Sequence, residues 1–151
     1  DGARYHGFNI LTGQDAGGAY ASNRASGAIA LGSGIHGLSN HLLETPWPKV
    51  VRSKARLAAW LESGEESIEP LFDLLADRTR AAAGTLPSTG VAPEWERLLS
   101  SPFIVDERYG TRCSTVLTIR DDGRARFVER SFDPRGEATG EASFEFELLE
   151  R

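Results

Sequence analysis

The first third of the chain is built from short apolar and β-branched runs separated by glycine and polar residues. Runs of this kind predict strands over residues 5–11, 18–23, 28–31 and 35–38. The cluster Thr12-Gly13-Gln14-Asp15 predicts a turn after the first of them. This part of the chain therefore reads as a series of short strands joined by tight turns.

The apolar period changes at Pro48, because proline is favoured at the first position of a helix and the apolar spacing that follows is helical. The helix is predicted to end before Gly64, a typical residue just past a helix end. Ser63-Gly64-Glu65-Glu66 has the spacing of a capping box and predicts the start of a second helix, and residues 93–99 predict a third. We expect the first two helices to share one apolar cluster on a sheet face, formed by Leu57, Trp60, Leu61, Leu71, Phe72 and Leu75.

The end of the chain returns to the two-residue period of strands. Residues 111–120 and 124–132, joined by Asp121-Asp122-Gly123, predict a hairpin. After it, Phe144, Phe146 and Leu148 alternate with glutamates, which predicts a half-exposed final strand. The pattern as a whole predicts an α+β fold with antiparallel sheets.

Composition narrows the class of protein. At 151 residues, with 40% hydrophobic and 26% charged residues, the chain is one globular domain or part of one. Its net charge of −5 argues against a nucleic-acid partner or an anionic membrane surface. Its single cysteine, Cys113, excludes an internal disulfide and is typical of a reducing, cytoplasmic compartment. No apolar run is long enough to predict a membrane span.

The chain contains no methionine. A complete translated chain normally starts with one, so we expect residues 1–151 to be the C-terminal portion of a longer domain. The missing N-terminal part of the same protein is then its expected partner.

Metal and nucleophile motifs are weak in this sequence. His36 and His41 lie five positions apart with no cysteine or carboxylate at zinc spacing, so we predict no metal site and no bound cofactor. Cys113 falls inside a predicted strand with polar neighbours, which favours a half-buried structural residue over a nucleophile.

Two other features are candidate functional sites. The first is Ser39-Asn40, which precedes the stiff turn Thr45-Pro46-Trp47-Pro48. Asn40 has two interpretations. Its side chain ties down its own turn, or its NH₂ group is a fixed donor at the mouth of a site, as an oxyanion hole requires.

The second feature is Tyr109-Gly110-Thr111-Arg112-Cys113, where an arginine enters a long strand among hydroxyl groups. Arg112 is either a surface residue at a strand edge or a fixed cation that binds an anion or lowers the pKa of a thiol.

Six runs carry a resemblance to a known family. They are "YHGFNIL", "YASNR", "GIHGLSNHLLETPWPKV", "LFDLLADRT", "STGV…EWERLLSS" and "YGTRCSTVL…DG…F.ER.FD", in that order along nearly the whole chain. The sequence resembles the NRDE-motif family, of the transport and Golgi organisation 2 type. The family's initial Met-Cys and its Asn-Arg-Asp-Glu signature do not occur here, so the resemblance is to the C-terminal part.

The resemblance implies a fold like that of the N-terminal-nucleophile hydrolases, an α-β-β-α sandwich of antiparallel sheets of which this chain supplies a part. In such enzymes the first residue is the nucleophile and its free amino group is the base. Asp1 does not match the family's cysteine, so we expect this chain to be catalytically silent alone. The resemblance implies that Asn40 binds the oxyanion and Arg112 lies beside the thiolate, and it suggests further substrate-binding residues: Ser39, Tyr109, Thr111, Asn23 and Arg24.

Two functions follow from the resemblance. The first is a cysteine amidohydrolase that acts on a linear amide or acyl bond. The second is a non-catalytic carrier that binds haem or an acyl-coenzyme A-type lipid in the same pocket. In both, the expected partner is a small molecule.

Overall fold

The computed structural model describes residues 4–14 and 17–148. These residues contain two three-stranded antiparallel sheets and three α-helices, joined by loops. The α+β class and the antiparallel sheets predicted from the sequence are confirmed. Asp1, and Asp15 of the predicted first turn, lie outside the described residues.

Sheet A contains β1 (Asn9–Gln14), β2 (Gly17–Ser22) and β3 (Ala28–Leu31), in that order. The bounds of β3 are as predicted, whereas β1 begins later than residue 5 and includes Thr12 and Gly13, which were predicted to turn. The reason lies in Asn23. Its side chain accepts a hydrogen bond from Phe8 N–H at 2.8 Å and donates one to the His6 carbonyl at 3.0 Å, so residues 6–8 bond to a side chain instead of a strand.

The strand predicted over residues 35–38 is wrong, because this segment has no strand partner. The backbone N–H of Gly37 donates to the Glu44 carboxylate and its carbonyl accepts from Glu44 N–H, both at 2.9 Å. One side chain and one turn thus satisfy the backbone groups that a neighbouring strand would otherwise bind.

Helix α1 (Pro48–Ser63) begins and ends where the sequence predicts, and Gly64 follows it with φ 66° in the left-handed region. Helix α2 (Glu69–Leu75) begins later than the predicted capping box. The Ser63 hydroxyl instead donates to the Trp60 carbonyl and accepts from the Glu65 N–H, so it closes the end of α1. A 3₁₀ turn (Ala83–Thr85) and α3 (Pro93–Leu98) follow. Within residues 4–14 and 17–148, no helix combines the length and apolar composition that crossing a bilayer requires.

Sheet B contains β4 (Cys113–Ile119), β5 (Arg124–Phe132) and β6 (Ala138–Glu147), in that order. The predicted hairpin of β4 and β5 is confirmed. The final strand was predicted to be half-exposed, but every residue of β6 is exposed. The register places Leu117, Phe127 and Phe144 side by side on one face, where Leu117 is 52% and Phe144 59% exposed.

The opposite face of sheet B carries the apolar core. Val116 and Val128 pair across β4 and β5. Phe72 of α2 and Ile68, the residue that precedes α2, pack on them, with Leu71 and Leu75 at the edge. The predicted interhelical cluster is therefore only partly right. Phe72 is 3% exposed, but Leu61 is 55% exposed and turned away from the core.

Two polar contacts connect the helices. The Trp60 indole N–H donates to the Ser67 carbonyl at 2.9 Å, which closes the link from α1 to α2. The Arg52 guanidinium contacts the Asp77 carboxylate at 2.6 Å and donates to the Thr79 carbonyl at 2.7 Å. These contacts hold α1 beside the C-terminal end of α2.

Phe72→Ala should lower the free energy of unfolding by about 3–5 kcal/mol, because it leaves a cavity in the core between α2 and sheet B. The matched control is Leu61→Ala, which removes an exposed apolar side chain and should cost less than about 0.5 kcal/mol. Denaturant unfolding of both variants of the full-length protein measures the difference. Equal losses would show that the core is assigned to the wrong helix face.

Candidate functional site

A cleft of about 1180 Å³ opens where sheet A meets the first turn of α1. The residues that lead into β1 and those that follow β2 form one side. Segment 38–42 and the start of α1 form another, and loop 87–89 with the end of α3 completes it. The cleft is therefore assembled from stretches that are distant in sequence, and each stretch is held by its own contacts.

Glu44 holds the segment that contains Ser39 and Asn40 against helix α1. Its carboxylate accepts hydrogen bonds from the Lys54 ammonium on α1 and from the backbone N–H of Gly37. These bonds, with that of Lys54 foremost, keep the pKa of Glu44 below its ordinary value of 4.5. Sequence reasoning missed this residue, because a glutamate in a polar loop reads as a solvated side chain.

The backbone is specialised for this contact. Glu44 has φ 59°, in the left-handed region that residues other than glycine rarely adopt. A Cβ atom on Gly37 would lie 2.5 Å from Cγ1 of Val50 on α1. Only glycine therefore lets the segment approach the helix so closely.

The turn at Thr45-Pro46-Trp47-Pro48 is closed by hydrogen bonds and a ring contact. The Thr45 hydroxyl donates its proton to the Leu42 carbonyl at 2.7 Å, so it accepts from His41 Nδ1 at 2.9 Å. This assigns the ring proton of a neutral His41 to Nδ1 and leaves Nε2 as its basic nitrogen. The His41 and Trp47 rings are 5.5 Å apart. His41 thus lines the cleft in a fixed orientation.

His36, the other histidine considered for metal binding, is engaged on both nitrogens. Its Nε2 lies 2.9 Å from the Gly32 carbonyl and its Nδ1 3.3 Å from the Glu44 carboxylate. Across residues 4–14 and 17–148, no three His, Cys, Asp or Glu side chains gather as a metal ligand set.

Asn40 lies exposed at the cleft, next to Ser39. The Ser39 hydroxyl donates to the Asn40 side-chain oxygen at 3.4 Å, a long hydrogen bond. Among the described residues, the NH₂ group of Asn40 has no acceptor. The side chain therefore does little to fix its own turn, and its two N–H donors are available to a ligand.

Lys49 is a cation that the sequence analysis did not single out. Its ammonium donates to the Leu99 carbonyl at 2.8 Å and lies 5.6 Å from the centre of the Trp47 ring. Burial lowers the pKa of Lys49. A lysine in the first turn of a helix also opposes the helix dipole. That unfavourable position was the one signal in the sequence that could have identified it.

Arg24 and Asn23 have different roles, although they are adjacent. Arg24 lines the cleft, and its guanidinium lies over Gly7, where an added Cβ would be 2.8 Å from Nε. Asn23 is used to bind the backbone of residues 6–8. Of these two adjacent residues, both predicted to bind substrate, only Arg24 lines the cleft.

Asn9 connects sheet A to the segment around Asn40. The hydroxyl of the buried Tyr20 donates to Asn9 Oδ1 at 2.8 Å, and Asn9 Nδ2 donates to the His41 carbonyl at 3.0 Å. Sequence reasoning missed this link. The available signal was an amide between the apolar residues Phe8 and Ile10, and the strand pairing places it on the same face as Tyr20.

Glu96 fixes the opposite wall. It is 6% exposed and accepts hydrogen bonds from the backbone N–H and the hydroxyl of Thr89, at 2.6 and 2.7 Å. Its charge is thus directed at loop 87–89.

The strand-entry residues predicted for the site are not among the residues that line the cleft. Thr111 pairs with Ile104 through its backbone and hydroxyl, and Tyr109 packs edge-on against Trp95 at 6.5 Å. Arg112 is exposed, and its role beside a thiolate stays a prediction. Cys113 was predicted to be half-buried but is exposed. The structure therefore brings together Ser39, Asn40 and Arg24, and adds Asn9, His41 and Lys49.

Comparison with known proteins decides the family. The family model described as Transport and Golgi organisation 2 matches residues 1–134. The chain belongs to this family. The Transport and Golgi organization protein 2 homologs of Bos taurus and Homo sapiens are each 33% identical to it, over 87% of this chain and 52% of their own length. The Mus musculus homolog is 30% identical over 98% of this chain and 59% of its own length.

The chain thus spans a little over half the length of these Transport and Golgi organisation 2 relatives. The identification confirms the family inferred from the quoted runs.

Glu44→Gln should reduce the loss of stability at acid pH. Because the folded-state pKa of Glu44 lies below the ordinary 4.5, the unfolded state binds more protons between the two values. Its stabilising contribution is complete above pH 4.5 and is lost as the pH falls through the folded-state pKa. Unfolding curves from pH 6 down to about pH 3 should therefore be less pH-dependent for Glu44→Gln than for the wild type, with Glu62→Gln on α1 as the control. Equal slopes in all three proteins would contradict the role of this carboxylate.

Proposed function

We propose that the cleft binds an amphipathic anion, and that the protein carries such a ligand. The observation that supports this best is the distribution of charge along the cleft. Among its described lining residues, Arg24 and Lys49 are cationic, and the carboxylate, Glu96, is bound to Thr89. An anionic group in the cleft therefore meets two cations against one carboxylate, whose Oε1 faces Thr89.

The other parts of the lining suit the apolar portion of such a ligand. Phe8, Leu38, Leu42, Trp47 and Leu99 contribute apolar surface. A volume of about 1180 Å³ is above the range of roughly 300–1,000 Å³ common for small-molecule pockets. The ligand classes that combine anionic and large apolar parts, and that the family resemblance suggests, are acyl-coenzyme A and haem.

The chemistry of the cleft fits both classes. The phosphates of an acyl-coenzyme A or the propionates of haem would bind Arg24 and Lys49. Haem would in addition find an imidazole, because His41 lines the cleft with Nδ1 bound to Thr45 and Nε2 as its basic nitrogen. An imidazole held through its other ring nitrogen is the usual arrangement of a histidine that binds iron.

Lys49→Gln should weaken binding of palmitoyl-coenzyme A and of haemin by about tenfold to a hundredfold, since a hydrogen bond to a charged group contributes about 1.5–3 kcal/mol. Arg56→Gln removes an exposed charge from the same helix without touching the cleft, and should leave binding unchanged. Calorimetry measures the first ligand and the Soret band the second.

The wild-type affinity should also fall as salt increases, because the attraction is between charges. If Lys49→Gln and Arg56→Gln bind both ligands as the wild type does, the proposed site is wrong.

A second candidate function is hydrolysis of a linear amide or acyl bond by a cysteine N-terminal nucleophile. The observation that favours it is the unpaired NH₂ group of Asn40 at the cleft, the donor that an oxyanion requires. In this candidate the nucleophile comes from the N-terminal part that the resemblance implies. Cys113 is exposed and does not line the cleft, so it is a poor substitute.

Asn40→Ala separates the two candidates in the full-length protein. For a hydrolase, kcat should fall by about 10²–10³ with little change in substrate affinity, because the donor acts mainly on the transition state. For a carrier there is no turnover, and the affinity for the ligand should change by less than about tenfold. Ser39→Ala is the neighbouring control. Unchanged turnover of an amide substrate by Asn40→Ala would end the oxyanion assignment.

A further inference from the structure

A second cavity, of about 350 Å³, lies between α1, α2 and segment 36–40. Building on the proposed function, we infer that this cavity holds the apolar tail of the ligand whose anionic head lies in the cleft. The ligand class is then a linear acyl chain with an anionic head group. The inference rests on the composition of the cavity, on its position relative to the cleft and on the incomplete packing of its walls.

The surface that lines the second cavity is mostly apolar. Leu57 of α1 and Leu74 and Leu75 of α2 form much of its lining. Its ionisable residues besides Lys49 are His36 and Lys54, and both contact the Glu44 carboxylate. The Glu44 carboxylate balances the charge of Lys54, and both ring nitrogens of His36 have partners, so apart from Lys49 the described lining of the cavity presents no unpaired ionisable group.

The two cavities are adjacent. Leu38, Ser39, Asn40 and Lys49 line both of them. Three of these four side chains are polar and can bind a head group. A ligand that places its carbonyl at Ser39 and Asn40 and its anionic group near Lys49 would have the second cavity next to it, because the same residues line that cavity.

The walls of the second cavity are packed incompletely. Leu57 of α1 and Leu74 and Leu75 of α2 line the same cavity, yet each is only half-buried. Apolar side chains around an unfilled space lose dispersion contacts that a ligand chain would restore. A volume of 350 Å³ is near the lower limit of about 300 Å³ for small-molecule sites. It suits a flexible chain better than a rigid macrocycle.

The experiment compares acetyl-coenzyme A with palmitoyl-coenzyme A in the full-length protein, by calorimetry. Ser53→Leu places a larger side chain in the second cavity, on the α1 face that lines it. Ala55→Leu makes a similar change on the exposed face of the same helix and is the matched control. Ser53→Val fills less space and is the alternative where Ser53→Leu folds poorly.

We expect the wild type and Ala55→Leu to bind palmitoyl-coenzyme A at least a hundredfold more tightly than acetyl-coenzyme A, because each buried methylene contributes about fourfold. In Ser53→Leu this preference should fall by about tenfold or more, while the affinity for acetyl-coenzyme A stays the same. Ser53→Val should lie between the two.

Equal affinity of the wild type for the two ligands would overturn the inference, and so would an unchanged preference in Ser53→Leu. In both cases the proposed function stands if binding still depends on Lys49. If neither ligand's binding depends on Lys49, the proposed function itself fails. The two failures are therefore distinguishable in one set of titrations.

Discussion

The Glu44 carboxylate is the contact on which the cleft depends most. It joins Gly37, the segment before Asn40, to Lys54 on α1, while the Glu44 backbone closes the turn through the Gly37 carbonyl. Segment 36–44 contains no helix or strand, so contacts of this kind hold it in place. Such a contact fixes the position of Ser39 and Asn40, which the proposed functions require, since binding donors are effective only when they are preorganised.

Two features of the cleft oppose local stability. Glu44 adopts a left-handed backbone conformation, and the Lys49 ammonium is partly buried in the first turn of a helix. Unfavourable conformations and charges of this kind persist where surrounding contacts impose them, and they concentrate at functional sites. The net charge of −5 also differs in sign from the cleft, whose described lining carries the two cations Arg24 and Lys49 and the single carboxylate of Glu96.

The second cavity and the apolar core lie on largely different sides of α2 and share Leu75. Phe72 of α2 packs on sheet B, whereas Leu74 of the same helix lines the second cavity. The buried side chain of Phe72, which holds α2 to sheet B, is therefore not part of the second cavity. The contacts of Arg52 with Asp77 and Thr79 keep α1 in place while leaving space between the helices.

The sequence by itself determined the elements whose signals are local. Pro48 and Gly64 set the limits of α1, and the hairpin of β4 and β5 followed from strand patterns on either side of a turn. The six quoted runs also identified the family, and one of them contains Ser39 and Asn40, which line the candidate cleft. Only the tertiary structure decided the rest. Residues 35–38 have the composition of a strand, but the N–H and carbonyl groups of Gly37 bond to Glu44 instead of a neighbouring strand. Arg24 and Lys49 line one cleft because the turn after β2 and the start of α1 come together there. The spacing of residues along the sequence does not predict this long-range contact.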